Sequence, residues 1–184
     1  MKKIAPWILI PLAIVVLQAL HEATKSPPDF SEPKFFAPDD AEIRFYNVRQ
    51  LAYDREDRND AGVRIFRYKK RPQSPEVDVQ AALLISPLQD RAYIKVELQN
   101  LETTDSVTFY RTHPDTQRTD SLRFGQGTMM EQFFTAVWLY QALERDMALE
   151  MAFGAGEAKP VLAKPQARQA FRATLEDYFD LVDL

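Results

Sequence analysis

Cysteine is absent from this chain of 184 residues. Without cysteine the protein can form no disulfide, no thiolate metal site and no catalytic thiol. Attachment of lipid through an N-terminal cysteine is excluded for the same reason. The stability of any folded domain must therefore come from packing and from polar interactions.

Histidine is also scarce, because His21 and His113 are the only two in the chain. Metal sites need several histidines, cysteines or clustered carboxylates. An acidic cluster does occur within residues 54–60, but Arg55 and Arg58 interrupt it and the spacing is not that of a calcium loop. We therefore expect no metal and no cofactor, and we interpret this cluster as the solvated tip of a hairpin.

The sequence lacks a motif that would specify a reaction. Ser121 and His113, with Asp115 or Asp120, could be drawn as a serine–histidine–acid set. All of them lie in one predicted loop, however, and no Gly-x-Ser-x-Gly turn presents the serine. We predict that the protein is not an enzyme, and a hydrolase centred on His113 is the weakest hypothesis.

Recognition of phosphate or of nucleic acid is equally poorly supported. Gly125 and Gly127 precede a predicted helix start, where free N–H groups could bind an anion, but no P-loop lysine follows them. The formal net charge of −4 makes broad nucleic-acid binding improbable. We expect no nucleic-acid partner.

The most informative feature that is present is an uncharged apolar run at residues 4–20. Its length is near the lower limit of about 17 residues for a transmembrane helix. Candidate signal-peptidase sites after Ala19 and Ala23 place a large side chain, Leu17 or His21, three positions before the cut. A membrane anchor is therefore favoured over a cleaved signal peptide, which stays open as the alternative.

The flanking charges predict the orientation of this anchor. Lys2 and Lys3 precede the run, whereas the stretch 21–41 that follows is net acidic. The positive-inside rule then keeps the N-terminus in the cytoplasm and places the rest in the periplasm, with the anchor in the inner (cytoplasmic) membrane. The residues predicted to contact the membrane or partner helices are Trp7, Pro11, Ile14 and Leu17.

Residues 21–41 contain four prolines and are predicted to be an extended linker. The linker could be a passive spacer. Alternatively, Phe30, Phe35 and Phe36 pack on a partner or on the domain itself, since three phenylalanines are many for a solvated tether. We expect at least Phe35 and Phe36 to be buried, and we predict both as contacts with a partner or with lipid.

Residues 42–184 are predicted to form one extracytoplasmic α+β domain. Alternating apolar residues predict an antiparallel β-sheet of about five to six strands, packed by two C-terminal helices. Residues 42–48 and 63–68 read as a hairpin with a long charged tip between them. The remaining predicted strands are 77–85, 93–99, 107–111 and 122–124.

The helical half begins at a capping box formed by Thr128 and Glu131. Helical spacing continues to about Arg145, after which residues 147–153 alternate as a strand would, with a longer helix as the rival interpretation. Pro165 begins the last helix, because its fixed φ suits a first helical turn.

Two further surfaces are predicted to contact a partner or lipid. The stretch RYKKRP is the densest basic patch, although edge strands also carry lysine simply to prevent aggregation. The first C-terminal helix is apolar over most of its circumference, so it is either buried on several sides or exposes a patch at Trp138 and Leu139. The basic residues concerned are Arg67, Lys69, Lys70 and Arg71.

These observations favour a non-catalytic accessory or assembly subunit of an integral-membrane protein complex. One helix would anchor it in the membrane lipid and pack against transmembrane helices of the partner complex, and the globular domain would dock on the extracytoplasmic face. The alternative is a periplasmic binding module for an apolar or anionic small ligand.

Overall fold

The computed structural model describes residues 28–184, except for residues 74, 102–105, 126 and 155. The predicted anchor residues Trp7, Pro11, Ile14 and Leu17 lie outside the described residues. Within the described part of the chain, no helix is both long and apolar enough to cross a membrane.

The fold is α+β, but its strands form two antiparallel sheets of four strands each rather than the single predicted sheet. The first sheet is a meander in the order β1-β2-β3-β4, and the second has the order β6-β5-β7-β8. The strands of the first sheet are β1 Tyr53–Arg58, β2 Val63–Tyr68, β3 Asp78–Ser86 and β4 Arg91–Gln99; those of the second are β5 Val107–Thr112, β6 Thr119–Phe124, β7 Ala148–Phe153 and β8 Lys159–Pro160.

The described residues form three α-helices, and the first of them lies where the sequence predicts a strand. Helix α1, Asp39–Arg44, continues into a π-helical turn, Phe45–Arg49, and a 3₁₀ turn, Gln50–Ala52. The strand predicted at 42–48 is therefore wrong. Of the charged stretch predicted as a hairpin tip, Tyr53–Arg58 is strand β1, which pairs along its whole length with β2, and residues 59–62 form the predicted turn.

The other predicted strands are confirmed, and residues 148–153 form a strand rather than a helical extension. Strand β7 pairs with β5, so the segment between them returns the chain to the same sheet. Helix α2, Met129–Glu144, begins at the predicted Thr128 cap, and α3, Pro165–Val182, begins at the predicted proline.

Helix α2 lies at the centre of the molecule. It packs on β4 of the first sheet, on α3, and on β6 and β7 of the second sheet. Phe133, Ala136, Leu139 and Leu143 are all fully buried. A helix that is apolar nearly all round is expected where it is covered on several sides, which confirms that alternative for α2.

Candidate docking surface

The described part of the predicted linker is not a free tether, because residues 28–38 pack along the domain. The ring of Phe30 lies against Phe179, with the centroids 5.1 Å apart, and Phe35 lies 5.2 Å from Tyr93. Phe36, in contrast, is 63% exposed. The expectation that both phenylalanines are buried is therefore wrong for Phe36, since neighbouring residues of an extended bridge point to opposite faces.

The basic patch is largely neutralised within the first sheet. Arg67 makes a two-pronged hydrogen bond to Glu97 at 2.7 and 2.8 Å, and Arg71 donates to Asp54 at 2.7 Å. Lys69 donates to a backbone carbonyl, and Lys70 is exposed. The hydrogen bonds that Arg67 donates to Glu97 raise the pKa of the guanidinium. Most of this positive charge therefore stabilises the sheet and is not free for an anionic partner.

The predicted exposed patch on α2 is absent. Leu139 is fully buried and Trp138 is half-buried, with the Arg111 guanidinium 4.4 Å above its ring. Arg111, from β5 of the second sheet, covers Trp138, and Leu139 belongs to the hydrophobic core. Leu139 cannot contact a partner without unfolding of the helix, so its predicted role is wrong.

The residues of the weak hydrolase hypothesis are not brought together. His113 Nε2 lies 3.4 Å from Asp120 Oδ2, and Arg111 and Arg118 face the same carboxylate. Ser121 follows Asp120 in β6, so its side chain lies on the opposite face of the sheet. The cluster holds the turn between β5 and β6 and presents no nucleophile to His113.

The glycine-rich turn before α2 holds an anion, but the anion belongs to the chain itself. Glu131 accepts hydrogen bonds from the N–H groups of Gly125 at 2.6 Å and Gly127 at 3.1 Å. Thr128 Oγ1 accepts from the Glu131 N–H at 3.2 Å, which completes the helix cap. A Cβ on Gly127 would come within 2.4 Å of the Glu131 carboxylate. The place where a bound anion was considered is therefore filled by a side chain of the chain itself.

The strongest candidate for an interaction site is the short helical segment of residues 39–52. It carries three exposed large apolar side chains, Ile43 at 60%, Val48 at 65% and Leu51 at 75%. Along a helix axis these residues lie within about 12 Å of one another. π-Helical turns are rare and are found frequently at functional sites. We call the three side chains the 39–52 surface.

The 39–52 surface borders a shallow apolar cleft of about 170 Å³. Ala41 and Phe45 form its floor from the segment itself, and Leu181 closes it from α3. Ala41 and Phe45 are buried and stand four residues apart, so they lie on the inner side of the helix. The segment thus has a buried apolar side and an exposed apolar side.

A buried carboxylate fixes this segment to α3. Asp177 accepts hydrogen bonds from Arg49 at 2.6 and 3.1 Å and from the Tyr53 hydroxyl at 2.5 Å. Burial, together with the charge of Asp177, raises the pKa of Tyr53, so the hydroxyl remains a donor. The exposed apolar side chains therefore stand on a rigid support, not on a loose loop.

A larger cleft of about 430 Å³ shares Arg49 with this region and also contains Arg168 and Arg172. All three guanidinium groups already have acceptors within the chain. Glu176 and Asp146 line the same cleft, and burial together with neighbouring carboxylates raises the pKa of Glu176. The cleft therefore offers little excess positive charge to an anionic ligand.

The sequence contained a signal for the segment that the strand assignment missed. Pro38 is followed by Asp39 and Asp40, and acidic residues in a first turn are typical of a helix start. The spacing of Ala41 and Phe45 also fits a helix. Alternation of Ile43 and Phe45 suggested a strand instead, because a pattern of so few residues fits both periods.

Comparisons of the chain with protein-family models, with curated proteins and with solved structures find no match.

Proposed function

We propose that the protein is a non-catalytic accessory subunit, anchored in the inner membrane by residues 1–20, that docks on an integral-membrane protein complex through the 39–52 surface. The single observation that carries the docking is the exposure of Ile43, Val48 and Leu51 on one rigidly held segment. Clustered exposed apolar side chains on a folded domain are typical of protein interfaces.

The energetics fit a specific but modest interface. Full burial of one such side chain stabilises by about 1.5–3 kcal/mol, so burying the exposed fractions of three gives on the order of 4 kcal/mol. Arg49, Tyr53 and Asp177 hold the segment in place before binding. A preorganised surface loses less conformational entropy on association, which favours affinity.

The charges beside the surface favour a protein over a lipid bilayer. Asp39, Asp40 and Glu42 form an acidic first turn next to Ile43. The two cations of the same segment, Arg44 and Arg49, donate hydrogen bonds to α3. Interfacial membrane helices carry lysine and arginine on their polar face instead, because the bilayer surface is negative. We therefore propose that the partner presents an apolar patch with a cationic rim.

A non-catalytic role is supported by the structural contacts that the polar clusters make within the fold. Glu131 fills the glycine turn, Asp177 fixes the 39–52 segment, and Asp120 binds the residues of its own turn. Each cluster is accounted for by a contact within the fold.

The test is purification of the tagged full-length chain from native membranes in a gentle detergent. Mass spectrometry would identify both the intact chain and the proteins that accompany it. We expect an intact chain with a stoichiometric membrane protein, and we expect Val48→Asp or Leu51→Asp to lower the recovery of that protein by about tenfold.

Leu88→Asp is the matched control, because Leu88 is 90% exposed but lies in the turn between β3 and β4. This variant should retain the partner, and circular dichroism should show the same fold for all three variants. Retention of the partner by Val48→Asp and Leu51→Asp would contradict the docking site. A chain cut near Ala19 or Ala23 that purifies alone would favour the small-ligand module.

A further inference from the structure

The two sheets have four outer edges, and three of them are blocked against further strand pairing. Strand β1 is the first, with five charged residues among its six, and strand β8 is the second, with only Lys159 and Pro160. Charge, proline and short length are the usual protections of exposed edges. Both strands are therefore poor templates for another strand.

The edge of β4 is blocked by the chain itself. The Ala92 N–H donates to Phe35 O at 2.9 Å, and the Ala37 N–H donates to Asp90 O at 2.8 Å. Further along, the Val96 N–H donates to the Gln132 side chain at 2.8 Å. The bridge from residues 35–37 and a side chain of α2 together occupy this edge.

The edge of β6 lacks these protections. The His113 N–H donates to Arg118 O at 2.9 Å, so these two residues form a hydrogen-bonded pair at the end of the ladder between β5 and β6. Hydrogen-bonded and non-hydrogen-bonded pairs alternate from there along β6. The backbone groups of Thr119, Ser121 and Arg123 then point away from β5. No backbone hydrogen bond from elsewhere in the described residues reaches them.

The side chains along this edge would tolerate a second strand. Thr119 and Ser121 are exposed, small and uncharged, and they lie on the same outward face. Asp120 lies on the other face, where His113, Arg111 and Arg118 neutralise it. The centre of the edge therefore carries no charge that would repel an identical strand.

We propose that β6 pairs with β6 of a second copy of this chain, antiparallel and about a twofold axis at Ser121. Ser121 then stands opposite its own counterpart, and Arg123 stands opposite Thr119 of the second copy, so cations do not meet. The backbone N–H and C=O groups that point away from β5 in the two copies would form on the order of six new hydrogen bonds. The second sheet of one copy would join the second sheet of the other into one continuous sheet. The 39–52 surface would remain free for its proposed partner.

A second copy is favoured over a foreign strand because the edge is self-complementary in this register. A twofold contact also closes on itself, whereas an open edge in any other arrangement invites continued assembly. The inference does not depend on the proposed docking, because β6 and the 39–52 segment are separate elements.

The absence of cysteine gives a clean test, since a single introduced thiol is the only one present. In the full-length protein, in mild detergent, Ser121→Cys would place two sulfurs across the axis with Cα atoms about 5.5 Å apart, which is within disulfide range. Oxidation of the dilute protein should give a covalent dimer on a non-reducing gel, at least about tenfold faster than Arg123→Cys.

Arg123→Cys is the matched control, because its two copies would be about 14 Å apart along the paired strands. Thr119→Cys alone should also remain uncoupled for the same reason. A mixture of Thr119→Cys and Arg123→Cys protein should form the mixed dimer, because those positions face each other in the proposed register.

Equal coupling rates for Ser121→Cys and Arg123→Cys would overturn the pairing. An independent check is Ser121→Pro, which removes an outward donor without breaking the ladder to β5, and which should convert a sedimenting dimer to a monomer of unchanged circular dichroism. An unmodified protein that sediments as a monomer at every concentration would also overturn it, and a strand from another protein would then be the better occupant.

Discussion

On the face of the first sheet that no helix covers, a layer of hydrogen-bonded polar side chains shields the sheet from solvent. Glu97 accepts hydrogen bonds from Arg67 and from Gln80, and Gln80 in turn accepts from Gln99. Beneath this polar layer Ala82 is fully buried although it lies on the open face. Long polar side chains can exclude water from small apolar ones in this way.

Glu97 should make the stability depend on pH. Burial acts to raise the pKa of Glu97, but the hydrogen bonds and charge of Arg67, aided by Lys95, lower the pKa below its ordinary value of 4.5. The unfolded chain therefore binds the proton more readily than the folded chain does. The stabilisation is full above pH 4.5 and is lost as the pH falls through the folded value.

We therefore expect Glu97→Gln to lower the free energy of unfolding by about 2 kcal/mol near neutral pH. The difference from the wild type should shrink as the pH falls below 4.5. Urea unfolding at a series of pH values measures both quantities. Asp115→Asn, at an exposed position in the turn after β5, should leave the free energy unchanged, and a pH-independent difference for Glu97→Gln would refute the argument.

Whole elements were predicted well where their pattern was long and poorly where it was short. Helices α2 and α3 follow from sustained periodicity and from the Thr128 and Pro165 start signals, and alternation predicted strands β2 to β5 and β7. Only the last three residues of β6 were predicted. Residues 42–48 carry too few alternations to separate a strand from a helix. Strand β1 is almost entirely charged, so it has no apolar alternation that would predict a strand. Ion pairs across to β2 accompany its pairing instead, such as Arg67 with Glu56 at 2.7 Å.

The role of α2 as a cover for β4 could not be predicted from its pattern. Gln132 is buried on an otherwise apolar side of the helix, and its Oε1 accepts the Val96 N–H at 2.8 Å. A glutamine in that position reads as a break in the apolar stripe. It is in fact the partner that a buried backbone donor at a sheet edge requires.

Removing that partner should therefore be costly. We expect Gln132→Met to destabilise the protein by about 1–3 kcal/mol, because it leaves the Val96 N–H buried without an acceptor while keeping side-chain volume. Urea unfolding gives the free energy, and amide hydrogen exchange reports on Val96 directly. Gln141→Met on the same helix is the control, and an equal effect there would show that the hydrogen bond to Val96 contributes nothing specific.

At the scale of the molecule, residues near the beginning of the described chain contact residues near its end. The Tyr178 hydroxyl donates to Lys34 O at 2.5 Å, and the Lys34 ammonium donates to Asp183 O at 2.6 Å. Residues separated so far along the chain leave no joint pattern in a single sequence. For that reason the packing of residues 28–38 on the domain, like the division into two sheets and the position of the 39–52 surface, emerged only from the structure.

This packing predicts that the segment folds together with the domain. We expect Phe30→Ala to destabilise the protein by about 1–3 kcal/mol, because it removes a half-buried ring from Tyr140 and Phe179. The amides of Ala37 and Ala92 should then exchange faster, because their hydrogen bonds close the far end of the same segment. Hydrogen exchange followed by mass spectrometry measures this effect.

Phe36→Ala supplies the comparison, because the exposed ring of Phe36 lies beside the same hydrogen bonds. This variant should change stability by less than about 0.5 kcal/mol and leave both amides protected. Faster exchange in Phe30→Ala alone would mean that the packing of Phe30 is coupled to the hydrogen bonds of Ala37 and Ala92 at the edge of β4. Unchanged exchange in both variants would mean that residues 28–38 lie on the domain but do not unfold together with it. These residues would then belong to the predicted passive spacer.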